Sequence, residues 1–204
     1  MLDIGGGTSD FAVYQHNSIV HTMVLPIAGN HFTNDLAVGL RTTIQEAERI
    51  KKEHGLACIE LLTQDDLIEA TKVQGDCSQL IELSQLTHIL QARAQEIIAL
   101  VEEEIITHKL IRFLPSGLVL TGGGSLLTGM KELASDMLKL PVRIGMPRLH
   151  YKLPESLESP IYATGYGLLL HMLKTSGNCL QDDANSPMVK RILDRMKSWV
   201  ADFF

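Results

Sequence analysis

Cysteine is scarce: Cys58, Cys77 and Cys179 are the only three in 204 residues. They are widely spaced and odd in number, which argues against a disulfide framework or a zinc-ligand set and for reduced cytosolic thiols. Long apolar runs are also missing, since none reaches the roughly 18 residues of a membrane-spanning helix. No basic start followed by an apolar stretch marks a secretory signal. There is no basic surplus either. The formal net charge is −6, so nucleic acid is not expected as a partner. No Ser-His-Asp or paired-carboxylate arrangement can be read. His16, His21 and His31 show no fixed ligand spacing and have no cysteine nearby, so they read as scattered histidines rather than a metal site.

What remains is an ordinary globular composition, 45% apolar and 21% charged. It suffices for one domain or two small ones. Strands over 1–4, 10–15 and 19–25 form the pattern of a β-meander. Helical spacing follows over 29–40 and 43–54, with Thr43 as N-cap and Gly55 as stop. Residues 56–83 hold short apolar runs, Leu67-Ile68 and Leu80-Ile81, between turn signals, and read as short strands. A long helix over about 84–110, capped by Ser84, keeps Leu86, Ile89, Leu90, Ala94, Ile97, Ile98, Val101 and Ile105 in the 3.6 period. A buried strand at 117–120, a helix over 126–139, a strand at 142–144 and a helix over 159–174 complete an α/β pattern. Met1-Leu2-Asp3-Ile4 reads as a strand already running at the first residue, and we take this as a sign of N-terminal truncation.

Two glycine-rich turns carry the chemistry. In Asp3-Ile4-Gly5-Gly6-Gly7-Thr8-Ser9-Asp10, glycines let backbone N–H groups approach a phosphate. Thr8 offers a hydroxyl, and Asp3 can hold a Mg²⁺-bound water. The lysine of a P-loop is absent, which excludes that motif. In Leu118-Val119-Leu120-Thr121-Gly122-Gly123-Gly124-Ser125, the turn leaves a buried strand, opens a helix and makes room for a flat ligand against bare backbone. Either turn alone is equally well explained as a tight structural turn. Two in one chain, in this order, are harder to ascribe to chance.

Residues 175–187 have linker composition, and 188–204 form a separate unit. On a wheel of about 100° per residue, Met188, Val189, Ile192, Leu193, Met196, Trp199, Val200, Phe203 and Phe204 share an arc of roughly 160°. Lys190 and Arg191 lie opposite, while Arg195 and Lys197 flank the apolar face, where long side chains snorkel. Trp199 is placed for an interface. The tail holds four basic and two acidic residues, so 14 of the 18 basic and 22 of the 24 acidic residues lie elsewhere. This segregation suits an anionic membrane. The competing reading is a terminal helix docked on the domain's own core.

The first turn is similar to the second phosphate-binding motif of the actin, sugar-kinase and heat-shock ATPase superfamily, and the second turn to its adenosine motif. Ser159-Pro160-Ile161-Tyr162-Ala163-Thr164-Gly165-Tyr166-Gly167-Leu168-Leu169 resembles the superfamily's closing hinge helix. Within that superfamily the chain resembles the FtsA family, actin-like proteins that tether the FtsZ division ring to the membrane. That likeness is carried by Pro26-Ile27-Ala28-Gly29-Asn30, Ala47-Glu48-Arg49-Ile50-Lys51, His54-Gly55, Pro141-Val142-Arg143-Ile144-Gly145 and the terminal helix.

The resemblance implies an actin-like (ribonuclease-H-like) ATPase half. Its core would span 1–28 and 111–174, with a smaller α+β subdomain inserted at 29–110. It implies ATP and Mg²⁺ as cofactors, held only together with an N-terminal half. Gly5, Gly6, Gly7 and Thr8 would meet the phosphates, Asp3 the metal shell, Gly122, Gly123 and Gly124 the adenosine, and Glu48 and Lys51 the ribose and base. On spacing alone, Glu48 and Lys51 read as a solvated helix face. Arg93 matches the place where the FtsZ tail docks, and otherwise reads as an exposed arginine. The implied setting is the cytoplasmic face of the inner membrane at the division site, with self-association into polymers. The family's ATPase activity is weak at most, and the fragment alone is expected to be inactive. The alternatives are a sugar-kinase-like phosphotransferase and a pilus-assembly or cell-shape scaffold.

Overall fold

Strand β1 (Leu2–Ile4) buries Leu2 and Ile4, and β2 (Ser9–Gln15) turns Ser9, Phe11 and Val13 inward on the strand period of two. These strands pair antiparallel as a hairpin, and β3 (Ser18–Leu25) adds to β2 in the same sense. A register shift between Val13 and Tyr14 marks a bulge near the hairpin end. The computed structural model describes residues 1–16, 18–73, 78–147 and 157–175. The terminal helix expected over 188–204, and nearly all of the linker before it, lie outside the described residues.

The chain then forms two short helices, α1 (Gly29–Gly39) and α2 (Ile44–His54). Thr43 caps α2 as expected, its side chain accepting the Glu46 amide at 3.2 Å. His31, read from sequence as scattered, caps α1: its Nδ1 accepts the Ala28 N–H at 3.1 Å. Strands β4 (Leu67–Thr71) and β5 (Ser78–Glu82) pair antiparallel in a separate two-stranded sheet.

Helix α3 (Leu83–Thr107) is 25 residues long and buries Leu86, Thr87, Leu90, Ala94, Ile97, Ile98, Val101 and Ile105. Ile89, expected on this face, is only half-buried and sits against Gly39, where an added Cβ would come within 2.7 Å of it. Thr87 takes the interior place instead, its hydroxyl donating to the Leu83 carbonyl at 2.7 Å. Ser84 is not the cap. The helix starts at Leu83, and Asp65 accepts the Ser84 amide at 2.8 Å from a loop 19 residues away. Hydrogen bonding from the Ser84 side chain, and then from its amide, holds the exposed Asp65 carboxyl below its ordinary range.

Strand β6 (Leu118–Thr121) pairs parallel with β1 on one side and with β7 (Val142–Ile144) on the other. The five-stranded sheet therefore runs β3-β2-β1-β6-β7. Helix α4 starts only at Met130 and ends at Leu138, not over 126–139. The second glycine turn passes first through a 3₁₀ turn at Gly123–Leu126, and Gly129 at φ 81° and extended Leu127 interrupt any helix there. Helix α3 packs against α1 and α4, and its aliphatic face joins Leu118, Leu120 and the β1–β2 side chains in one core. Each such aliphatic side chain, fully buried, stabilises by about 1.5–3 kcal/mol. A second compact unit begins at Thr164. Its described part is the rest of α5 (Ala163–Thr175), which follows a 3₁₀ turn at Pro160–Tyr162. Among the described residues no helix is long and apolar enough to cross a membrane.

Candidate functional site

Because β1 and β6 are parallel neighbours with Asp3 opposite Thr121, the turns that follow them leave the sheet at the same edge. In α/β sheets the carboxyl ends of parallel strands are where ligands bind. The turns also touch. A Cβ on Gly122 would overlap the Asp3 carboxylate and come within 2.5 Å of the Ile4 carbonyl, and one on Gly124 would overlap the Ile4 side chain.

The first turn is anchored from two directions. Gly5 donates to the Thr8 carbonyl at 3.0 Å, and the amides of Gly29 and Asn30, at the start of α1, donate to the carbonyls of Gly5 and Gly6 at 2.9 and 2.8 Å. The buried Ser9 hydroxyl donates to the Ile27 carbonyl at 2.6 Å. Among the described residues, the amides of Gly6, Gly7 and Thr8 donate to no backbone carbonyl. Gly6, Gly7 and Thr8 are exposed. A Cβ on Gly7 would meet nothing within 4 Å, and one on Gly6 would meet only the Asn30 side chain, at 3.6 Å. The chain itself does not need glycine at these two places, whereas a ligand packed on the backbone would.

Asp3 stands directly opposite Asp10 in the hairpin register, so both carboxylates project from one face. Like charges in that position repel. The Thr8 hydroxyl donates to Asp10 at 3.2 Å. Two carboxylates beside three amides without backbone acceptors suit phosphate oxygens bridged by a hard cation such as Mg²⁺. Sequence reasoning assigned no role to Asp10, and only the strand register brings it to the site.

The second turn divides its glycines differently. Gly122 has φ 80° and ψ 168°, a backbone state that is essentially glycine-only, and is buried. Its amide donates to the Pro160 carbonyl at 3.2 Å, and its carbonyl accepts the Ser125 hydroxyl at 2.7 Å. Thr121 is buried and donates to the Gly145 carbonyl at 3.1 Å. Gly123 is the exposed member, with only Ile161 at 3.9 Å from an added Cβ. Gly122 and Gly124 thus shape the turn against β1, and Gly123 presents the bare backbone.

Glu48 and Lys51 do not form a solvated face. They pair at 2.6 Å, and the Lys51 side chain is 15% exposed. Its ammonium donates to the Gly29 carbonyl at 3.1 Å and to Thr33 at 2.7 Å, while the Thr33 hydroxyl also contacts Glu48. Burial raises the Glu48 carboxyl, but the hydrogen bonds from Lys51 and Thr33 outweigh it, leaving the group below its ordinary 4.5. Lys51 is therefore one peptide away from the first turn: it binds the carbonyl of Gly29, whose amide binds Gly5. Just past the C-terminal end of α2, the Ala57 amide donates to the Thr128 carbonyl at 2.7 Å, joining the helix to the chain just after the second turn. The two turns, the start of α1 and the Glu48–Lys51 face of α2 are thus tied in one closed circuit.

Arg93 lies apart from this circuit, on α3. It makes a bidentate pair with Asp35 at 2.6 and 2.9 Å and also contacts Glu96. A groove of about 480 Å³ lined by Glu46, Arg49, His54, Leu67, Ile68, Glu69 and Thr71 shares no residue with the glycine turns. Glu46 and Arg49 stand on a different face of α2 from Glu48 and Lys51.

Comparison with known proteins bears on this geometry. Residues 1–167 match the family model described as Cell division protein FtsA. The chain belongs to the FtsA family. It is 34% identical to FtsA of Pseudomonas aeruginosa over 214 residues, which is 100% of this chain and 50% of the relative. To FtsA of Neisseria meningitidis it is 36% identical over 209 residues, again 100% of this chain and 50% of the relative. The chain therefore spans about half the length of the FtsA relatives it matches. Among solved structures it resembles MreB5 of Spiroplasma citri bound to ADP, with a TM-score of 0.66 and 22% identity over 86% of this chain and 54% of that one. The likeness to MreB5 shows the fold: this is the actin-like ATPase architecture expected from the glycine turns.

Proposed function

We propose that this chain supplies one wall of an ATP site and the membrane anchor of an FtsA-type adaptor, which attaches the FtsZ ring to the cytoplasmic face of the inner membrane at the division site. The observation that carries the nucleotide reading is the shared edge of β1 and β6, where both turns emerge side by side. Gly6, Gly7 and Thr8 direct their amides to the β- and γ-phosphates, with Gly5 setting the turn. Asp3, joined by Asp10, holds water in the shell of Mg²⁺, which when bound neutralises phosphate charge. Gly123 lies under the adenosine, on a turn shaped by Gly122 and Gly124, and Glu48 and Lys51 face the ribose and base. The MreB5 neighbour is described as bound to ADP, which supports a nucleotide as the ligand class.

One wall leaves phosphates in water, so ATP binds tightly only when the half of FtsA that this chain does not span is also present. In that reading 1–28 and 111–174 form the core subdomain, and 29–110 the smaller inserted one. Arg93 receives the C-terminal tail of FtsZ, giving up its pairing with Asp35. Val189, Ile192, Leu193, Met196, Trp199, Val200, Phe203 and Phe204 enter the membrane, and Lys190, Arg191, Arg195 and Lys197 meet its anionic headgroups. A single short helix binds weakly, so attachment depends on several copies in a self-associated polymer.

Co-sedimentation with anionic vesicles, with and without residues 188–204, tests the anchor. We expect the full chain to pellet with anionic lipid and the shortened chain to stay in solution. Equal pelleting of both would overturn the anchor and return the tail to the role of a core helix.

A further inference from the structure

We infer that His21, Glu104 and His108 form a binding site for one divalent transition-metal ion of the zinc class. The sequence separates these residues widely, but the fold brings them to one point. His21 lies on β3, the outermost strand of the large sheet, and Glu104 and His108 lie one helical turn apart at the end of α3. Glu104 Oε1 is 2.6 Å from His21 Nε2 and 3.3 Å from His108 Nδ1. The three ligand atoms all lie within 4.8 Å of one another. The two imidazoles sit side by side, with centroids 4.7 Å apart and planes inclined by 37°.

This arrangement can seat a metal. His108 Nδ1, one turn along α3, lies 3.3 Å from the carboxylate oxygen that His21 contacts and 3.4 Å from the Glu104 carbonyl, so three ligand atoms converge where the helix ends. Ligands at about 2.0–2.2 Å from a tetrahedral ion stand roughly 3.4 Å apart. His108 is already at that distance from Glu104; His21 has to back away from Glu104 by roughly 0.8 Å, and the two histidine nitrogens, no more than 4.8 Å apart, have to settle at the same spacing. Two imidazole nitrogens and one carboxylate select borderline ions over Mg²⁺ or Ca²⁺, which prefer all-oxygen sets. Access is built in. His21 and Glu104 are 18% and 21% exposed, whereas His108 is 48% exposed, so water reaches the ion's remaining positions from one side. The bound ion would staple an edge strand to the end of a helix 83 residues away, restraining the outer margin of the sheet.

The test uses the full chain stripped of metal and titrated with Co²⁺, followed by visible absorption, then with Zn²⁺. One Co²⁺ should bind with a nitrogen–oxygen spectrum that lacks thiolate charge transfer, and Zn²⁺ but not Mg²⁺ should displace it. Zn²⁺ should also raise the melting temperature. His108→Ala, at a half-exposed helix end outside the core, should weaken Co²⁺ binding by more than about 10-fold, since loss of an outer-shell partner alone costs that much. His108→Asn serves if the alanine variant folds poorly, and His21→Ala combined with it should abolish the spectrum. Three results would each overturn the site: no uptake by the parent chain, a spectrum dominated by thiolate, or unchanged affinity in the His108 variants.

Discussion

In the first glycine turn a Cβ added at Gly7 would meet nothing within 4 Å, whereas in the second a Cβ at Gly122 would run into Asp3 and Ile4. The two triplets have the same composition and follow adjacent parallel strands, yet glycine answers different needs in them. At Gly122 and Gly124 the chain's own packing leaves no room for a side chain. At Gly6 and Gly7 the space is open, and packing within the chain sets no such limit. A glycine triplet therefore signals close approach without saying what approaches. The packing around each position supplies that answer.

The contrast can be broken by substitution, and the largest effect should fall on the second turn. Gly122→Ala places a side chain in a glycine-only backbone state and against β1, so we expect a loss of about 3 kcal/mol or more in urea unfolding. A loss below about 1 kcal/mol would mean the turn relaxes easily and that its glycine, too, serves a ligand.

An intermediate effect is expected at the link between the two turns. Lys51→Met removes the cation that Gly29, Thr33 and Glu48 share, and should cost about 2 kcal/mol near neutral pH. The pH dependence is specific. The folded Glu48 carboxyl sits below its ordinary 4.5, so its contribution is complete above that value and fades as pH falls through the lower, folded value. The gap between parent and variant should thus narrow on the acid side. A gap that stays constant from neutral pH to below the carboxylate range would show that Lys51 acts through Gly29, Thr33 and packing, without Glu48.

The smallest effect on folding should come from the first turn. Gly7→Ala should leave the urea midpoint unchanged or raise stability by about 0.4–1 kcal/mol, through reduced freedom of the unfolded chain. The same change, placed in a protein that also holds the other half of FtsA, should weaken binding of a fluorescent ATP analogue by at least about 10-fold, or roughly 1.4 kcal/mol. Unaltered nucleotide binding would make the two turns alike after all, both structural.

Local rules carried much of the fold. The meander strands read over 1–4, 10–15 and 19–25 are β1, β2 and β3, Thr43 and Gly55 bounded α2, and the 3.6 period named most of the buried face of α3. They failed where the deciding partner was distant in sequence. Ser84 looks like a helix cap, yet Asp65 supplies the acceptor. The turn at Gly122 looks like a helix start, yet Gly129 in a left-handed conformation delays α4. Glu48 and Lys51 have the composition of a wet helix face, yet Thr33 and the Gly29 carbonyl draw Lys51 inward.

The order of strands, glycines and helices, the FtsA-like motifs and the segregation of charge towards the tail are properties of the linear chain, because they depend on composition and on spacing over a few residues. Which glycines are needed for packing, which carboxylate faces Asp3, and how His21 comes to stand beside Glu104 and His108 are set by strand register and helix docking. Those depend on contacts between residues tens of positions apart, and no local pattern in the chain records them.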